Sequence, residues 1–338
     1  MLAPSLPGGG FSFAAMAGTG HPRPATALLH KFTKNSAPDM PTPPTAGNWI
    51  ALIALGLIWG ASFLGISIAL EGFAPIWVAA GRIVIGAVTL SVIAAMMGVT
   101  LPRQPAVWGF AAAMGVFSNA LPFFLLSWSQ QYVTSGFAGI SMAAIPLFVI
   151  GFAHFLVPGE ALTRLKAGGF ALGLLGVAVL IGPGVLARTG AALESVAMLG
   201  CIGAALSYSV GAIVTRRCPD VHPVGFGVLA LWVASAIMLP ASLISDGLPA
   251  WPEARAGLAL LYLGLLPTGL ATLLLVGIIR SAGPSFLSQV NYHVPVWSVL
   301  LGVVVLAEEL PGRFLLALAI IIAGLMLSRR KTAYARAT

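Results

Sequence analysis

The sequence predicts an all-α polytopic membrane protein, with ten transmembrane helices arranged as two inverted five-helix repeats. Three observations predict it. The first is composition: 59% of the 338 residues are hydrophobic and 8% are charged, with a mean hydropathy of +0.99. A soluble domain carries about 25% charged residues, so this chain lacks the polar surface to cover a water-soluble globule. The second is spacing, because apolar runs of about 20 residues, the length a bilayer demands, follow one another through short loops rich in Pro and Gly. The third is self-similarity. Pro295, Glu309 and Arg313 lie 149 residues after Pro146, Glu160 and Arg164, and apolar positions between them match as well, Phe148 with Trp297 and Val157 with Leu306.

The elements follow in order. Residues 1–47 are rich in Pro, Gly, Ser and Thr and carry no sustained apolar period, so they read as a disordered leader. No basic segment precedes an apolar core there, which excludes a signal peptide. Met40 is an alternative start. Helices are predicted near 49–70, 75–97, 106–127, 134–157 and 167–185, the first repeat (48–186). A second set follows near 193–216, 222–244, 255–278, 284–306 and 312–328, the second repeat (193–330), before a cytoplasmic tail at 331–338. The run around 267–283 is the least regular, because Pro267, Thr268 and Gly269 interrupt it. Such breaks are tolerated where neighbours re-satisfy the freed backbone groups.

Ten crossings put both termini on one side. With the termini inside, inner loops and tail hold ten Arg and Lys residues, among them Arg103, Arg164, Lys166, Arg216, Arg217 and Arg280, against Arg188, Arg255 and Arg313 outside. That bias predicts cytoplasmic termini and, for a bacterial chain, the cell inner membrane. The fourth and ninth helices are five crossings apart, an odd number, so the copies point in opposite directions. Ser62–Phe63 matches Ser207–Tyr208, and Pro75 matches Pro223. Inverted repeats are the architecture of secondary transporters.

Four stretches carry a family resemblance: LIWGASFLGISIAL from Leu57, the Gly81–Arg82 pair, AAIPLFVIGFAHFLVPGEALT from Ala143 and VPVWSVLLGVVVLAEEL from Val294. Over residues 48–330 the chain resembles the EamA-type transporters of the drug/metabolite transporter superfamily. The resemblance implies ten helices around a central cavity and export or exchange of small metabolites, often amino acids or related compounds. It is not specific for substrate. Ala230 stands opposite Arg82 in the second repeat, so a symmetric role for that Arg is not expected.

Arg82 is the one charge placed well inside a helix, at a cost of at least about 2.5 kcal/mol near the bilayer centre. It reads either as counter-charge for an anionic substrate group or as a structural group, clamping helix carbonyls or snorkelling outward. The structural reading carries more weight here, since the resembled family commonly has Arg at this place whatever the substrate. Ser285, Ser288, Gln289 and Tyr292 fall at i, i+3, i+4 and i+7, with His293 one turn beyond Gln289, a polar stripe on the ninth helix. In lipid such a stripe faces protein or a water-filled cavity. It reads as lining the substrate path, with helix–helix glue as the alternative. Asn119 precedes Pro122, and Pro267–Thr268 interrupt the matching eighth helix; paired interruptions point to a site. Trp59 and Tyr208 offer aromatic walls, though ordinary packing is the commoner role.

Two histidines, His154 and His293, fall on predicted helices, which leaves proton coupling open. Neither half has an Asp or Glu inside the membrane. Glu160, Glu308 and Glu309 sit at helix ends and read as solvated or paired with Arg164 and Arg313 four residues on. The net charge of +8 sits in short loops, not in a basic patch interleaved with aromatics, so no nucleic-acid partner is expected. Cys201 and Cys218 fall on one predicted helix, roughly 25 Å apart, too far for a disulfide. No Cys/His cluster suggests a metal, no cofactor motif occurs, and GxSxG, HExxH and Walker patterns are missing, which argues against an enzyme or an ATP-driven pump. The expected partners are a small-molecule substrate and the lipid bilayer, with a homodimer left open. Together these features read as a secondary transporter working by alternating access. The alternative is a non-transporting scaffold or sensor subunit that keeps the fold; a passive channel lacks a charged ring.

Overall fold

A computed structural model of the chain describes residues 44–156, 162–182, 192–250 and 252–329. The leader through residue 43, Glu160, Arg188 and the tail from residue 330 lie outside the described residues. Within them all regular structure is helical and forms ten rods. They are α1 (Ala46–Ala69), α2 (Pro75–Met96), α3 (Pro105–Ser129), α4 (Ser135–Leu156) and α5 (Arg164–Ile181). The second half holds α6 (Ala192–Arg217), α7 (Pro223–Asp246), α8 (Ala254–Ala282), α9 (Val290–Leu306) and α10 (Gly312–Arg329). Eight are long and apolar enough to cross a membrane; Val290–Leu306 and Gly312–Ser328 are apolar but shorter. Cys218 falls just past the end of α6 rather than on it, and both cysteines are free.

Local chemistry sets the boundaries. Thr45, Thr134 and Thr163 cap α1, α4 and α5, each accepting a backbone N–H three residues on, which satisfies a donor the helix leaves orphaned. Pro75, Pro105 and Pro223 open α2, α3 and α7, where a missing N–H costs nothing. Gly182, Gly247 and Gly283 stop α5, α7 and α8 at positive φ, a conformation open to residues without a Cβ.

Two helices depart from the regular ladder at repeat-equivalent places. Gly115–Ala120 in α3 and Gly264–Leu270 in α8 are π-helical, and their first residues lie 149 apart. Such widened turns are frequent at functional sites. The contact pattern repeats in the same way. α1 packs on α9 and α8, as α6 packs on α4 and α3; α2 packs on α8, as α7 packs on α3. Advancing each helix by five positions converts one set into the other, as two inverted repeats require. α5 and α10 pair with each other at close range. A Cβ on Gly169 would meet the Gly324 carbonyl, and one on Gly176 would meet Ile321 and the Ala317 carbonyl, so small residues let these backbones approach.

Glu308 corrects an expectation. It does not pair with Arg313. Its carboxylate accepts the Ser135 N–H at 2.7 Å and the Gly136 N–H at 3.0 Å, closing the N-terminus of α4 from the far end of α9. Ala307 turns the chain to make this reach and is the one described non-glycine residue at positive φ (52°). Arg313 lies instead with its guanidinium 5.5 Å from the Phe314 ring centroid.

Candidate functional site

The site begins with Pro267. Proline has no N–H, so the Leu263 carbonyl four residues earlier loses its helical partner. The Thr268 hydroxyl donates to that carbonyl at 2.8 Å. Its single proton is thereby committed, and only its lone pairs remain. Arg82 of α2 fills them, with Nε and Nη2 each 3.3 Å from Thr268 Oγ1. The guanidinium carbon lies 3.7 Å from the centroid of the Phe123 ring of α3, a cation–π contact worth about 2 kcal/mol when desolvated.

Arg82 is 4% exposed. It neither snorkels to an interface nor clamps helix carbonyls; its hydrogen bonds go to one hydroxyl. No acidic side chain among the described residues pairs with it. The cation therefore sits in the bundle with an aromatic face, one oxygen and unused N–H donors.

Aromatic groups surround it. Tyr208 of α6 packs edge-on to Phe123, with centroids 6.4 Å apart. Trp59 of α1 donates from Nε1 to the Pro267 carbonyl at 3.2 Å. Tyr262 donates its hydroxyl to the Ile58 carbonyl at 2.9 Å, tying α8 to α1 beside Trp59. Gly264, the first residue of the α8 π-turn, lies against Ile85 and the Arg82 carbonyl, so that a Cβ there would clash. That close approach seats α2 on α8 and brings Arg82 to Thr268.

Of the residues singled out from sequence, Arg82, Trp59 and Tyr208 come together here. Asn119 is buried in the α3 π-turn and donates from Nδ2 to the Met114 carbonyl at 3.3 Å. The ninth-helix residues stand on and before α9, which packs on α1. The helix is broken at Ser288–Gln289, between a single turn at Pro284–Leu287 and α9 proper. The side chain of Ser285 lies outside the described set. Ser288 and Gln289 occupy the break, where Asn291 donates to the Ser288 carbonyl at 3.0 Å. His293 packs its Cβ on Gly56 of α1, and Tyr292 borders the main apolar core. None of Arg82's own contacts reaches α9. His154 sits at the exposed end of α4 and accepts the Leu162 N–H at 3.2 Å.

Thr268, Phe123 and Tyr262 were not among the candidate site residues. Thr268 carried a signal in standing beside Pro267. Phe123 and Tyr262 carried none, since nothing in an apolar run distinguishes one aromatic from the next.

Comparison with known proteins adds the following. The model of the EamA-like transporter family matches residues 47–182 and 195–330. "Uncharacterized inner membrane transporter YedA" of Escherichia coli is 29% identical over 281 residues, covering 82% of this chain and 89% of that protein. "Probable terminal-alkyne amino-acid exporter" of Streptantibioticus cattleyicolor is 25% identical over 283 residues, covering 83% and 93%. A solved structure titled "Crystal structure of protein" overlays with a TM-score of 0.61 at 24% identity, covering 84% of this chain and 97% of that one, a likeness of fold.

Proposed function

The chain belongs to the EamA-like transporter family, and we propose that it carries a small metabolite with an anionic group, of the amino-acid or related class, out of the cell or in exchange. Arg82 carries this reading. A buried guanidinium without a carboxylate is costly, and a substrate carboxylate supplies the missing charge. Thr268 and Phe123 hold one edge and one face of the cation. The remaining N–H groups meet the ligand, with Trp59 and Tyr208 as walls. A charge-assisted bond of this kind is worth about 1.5–3 kcal/mol. The amino-acid exporter among the relatives supports the substrate class, and YedA's printed name supports the inner membrane.

Transport proceeds by alternating access. The two repeats rock about the shared site, and the π-turns of α3 and α8 are the places where the ladder is already loosened. Ser288, Gln289, Tyr292 and His293 line the approach on the α9 side, supported by the broken backbone there, which in a membrane belongs against protein or water. Both termini face the cytoplasm, as the charge bias favours.

The test is flux in proteoliposomes with a labelled panel of amino acids, organic acids and amines. Movement of a carboxylated compound that Arg82→Gln abolishes, in protein still inserted and folded, supports the reading. Equal flux in Arg82→Gln, or movement of amines alone, sinks it.

A further inference from the structure

An open groove of about 390 Å³ runs along the seam between α1 and α8. Small residues make it: Ala61 and Gly65 on α1, Ala259 on α8. Leu64, Ile68 and Leu258 border it. From Ala61 to Ile68, and from Arg255 to Tyr262, each helix rises about 10 Å, so the two sides match in length. One end lies deep, at Tyr262. The other lies where α1 ends and α8 begins, and there Arg255 Nη2 stands 3.5 Å from Glu71 Oε1, with side chains 60% and 46% exposed.

We propose that this groove is a binding site for one phospholipid with a primary-ammonium zwitterionic headgroup, phosphatidylethanolamine in its chemistry. The apolar seam takes an acyl chain. At the mouth Arg255 offers a planar fork of donors that suits a phosphate, and Glu71 offers acceptors for an ammonium. The exposed pair is worth only about 0–1 kcal/mol, so a headgroup replaces it at little cost. Each alternative headgroup meets an obstacle. A choline headgroup has no N–H to give Glu71. An anionic glycerol headgroup meets the negative charge of Glu71 and of exposed Glu253, two residues before Arg255. The deep end touches the transport machinery: Tyr262, bonded to Ile58, neighbours Trp59, which holds the Pro267 carbonyl.

The test uses the full chain in nanodiscs of equal phosphatidylethanolamine, phosphatidylcholine and phosphatidylglycerol, followed by native mass spectrometry of the retained lipid. One phosphatidylethanolamine retained at least about 10-fold over the other two is expected. Arg255→Ala and Glu71→Ala should each reduce that preference to about twofold or less, and Ala61→Phe should expel the lipid while leaving the pair intact. Both charged positions are half-exposed, so their variants keep the fold, which thermal melting checks. Equal retention of all three lipids by the unaltered protein overturns the proposal. So does preferential phosphatidylglycerol, or an unchanged preference in Arg255→Ala. The readout is lipid, not flux, so its failure leaves the transport reading untouched.

Discussion

Two places in this molecule are built alike and equipped differently. Gly115 in α3 lies under the Ala230 carbonyl of α7, and Gly264 in α8 lies under the Arg82 carbonyl of α2. Each glycine opens a π-turn. Four residues on, Asn119 bonds to the carbonyl of Met114 and Thr268 to that of Leu263, each five residues back. To this point the halves are one design. Then they part. Arg82 faces Thr268 with Phe123 over it, whereas the other half has Ala230, Asn119 and, 149 residues after Phe123, Thr272. The shared parts are mechanical: close backbone approach and a loosened helix. The unshared parts are chemical. Among the described residues the twofold scaffold thus buries a single charge, and under the proposed function a ligand bound there meets both halves on unequal terms.

The largest effect that could break this comparison is at Arg82. Arg82→Ala should cut flux of a carboxylated substrate about 100-fold, by the ~3 kcal/mol of a hydrogen bond to a charged group, while yield and melting temperature hold or rise because a buried charge has gone. Arg82→Lys should recover only part, since a point charge replaces a fork. Thr268→Val comes next. It leaves two guanidinium donors without their partner, costing about 1–3 kcal/mol, visible as a raised KM. Asn119→Leu at the equivalent place should lower stability by about 1 kcal/mol and leave KM unchanged; equal KM effects would dissolve the distinction between the halves. Gly115→Ala and Gly264→Ala test the shared mechanics and should slow transport alike.

The smallest effect concerns His222, which precedes Pro223 as Ala74 precedes Pro75. Partial burial first, then nearby Arg280, hold its pKa below the ordinary 6.5. Its folded form resists protonation, so its contribution is present above pH 6.5 and fades as pH falls through the lowered value. His222→Ala should flatten the acid side of the melting profile slightly, checked by thermal scans between pH 5 and 8.

The fold was legible because its causes are local or repeated. Apolar run length marks a crossing, Pro and Gly mark boundaries, and an offset of 149 marks the repeat. The candidate site was legible only in part. Arg82 stands out because a charge in an apolar helix is costly wherever it points. Its partner Thr268 lies 186 residues away, and sequence spacing cannot carry a contact of that range. The ninth-helix stripe crosses tight turns at Ser288–Gln289 (Gln289 N–H to Phe286, Tyr292 N–H to Gln289), which no pattern of residue types announces. Glu308 was read as a solvated or paired helix-end carboxylate, yet its partners, backbone N–H groups 172 and 173 residues earlier, have no side-chain signature.

Among the described residues Arg82 is the one charge buried in the bundle, and in the proposed transport cycle this has an electrical consequence. With a carboxylate on Arg82 the loaded site is neutral, and without it the site carries one positive charge. Moving one elementary charge across the full membrane potential is worth about 2.3 kcal/mol per 100 mV. Voltage therefore acts on the return of the empty carrier and leaves the loaded step nearly untouched. In that cycle an inside-negative potential holds the empty site toward the cytoplasm, the side from which export is proposed.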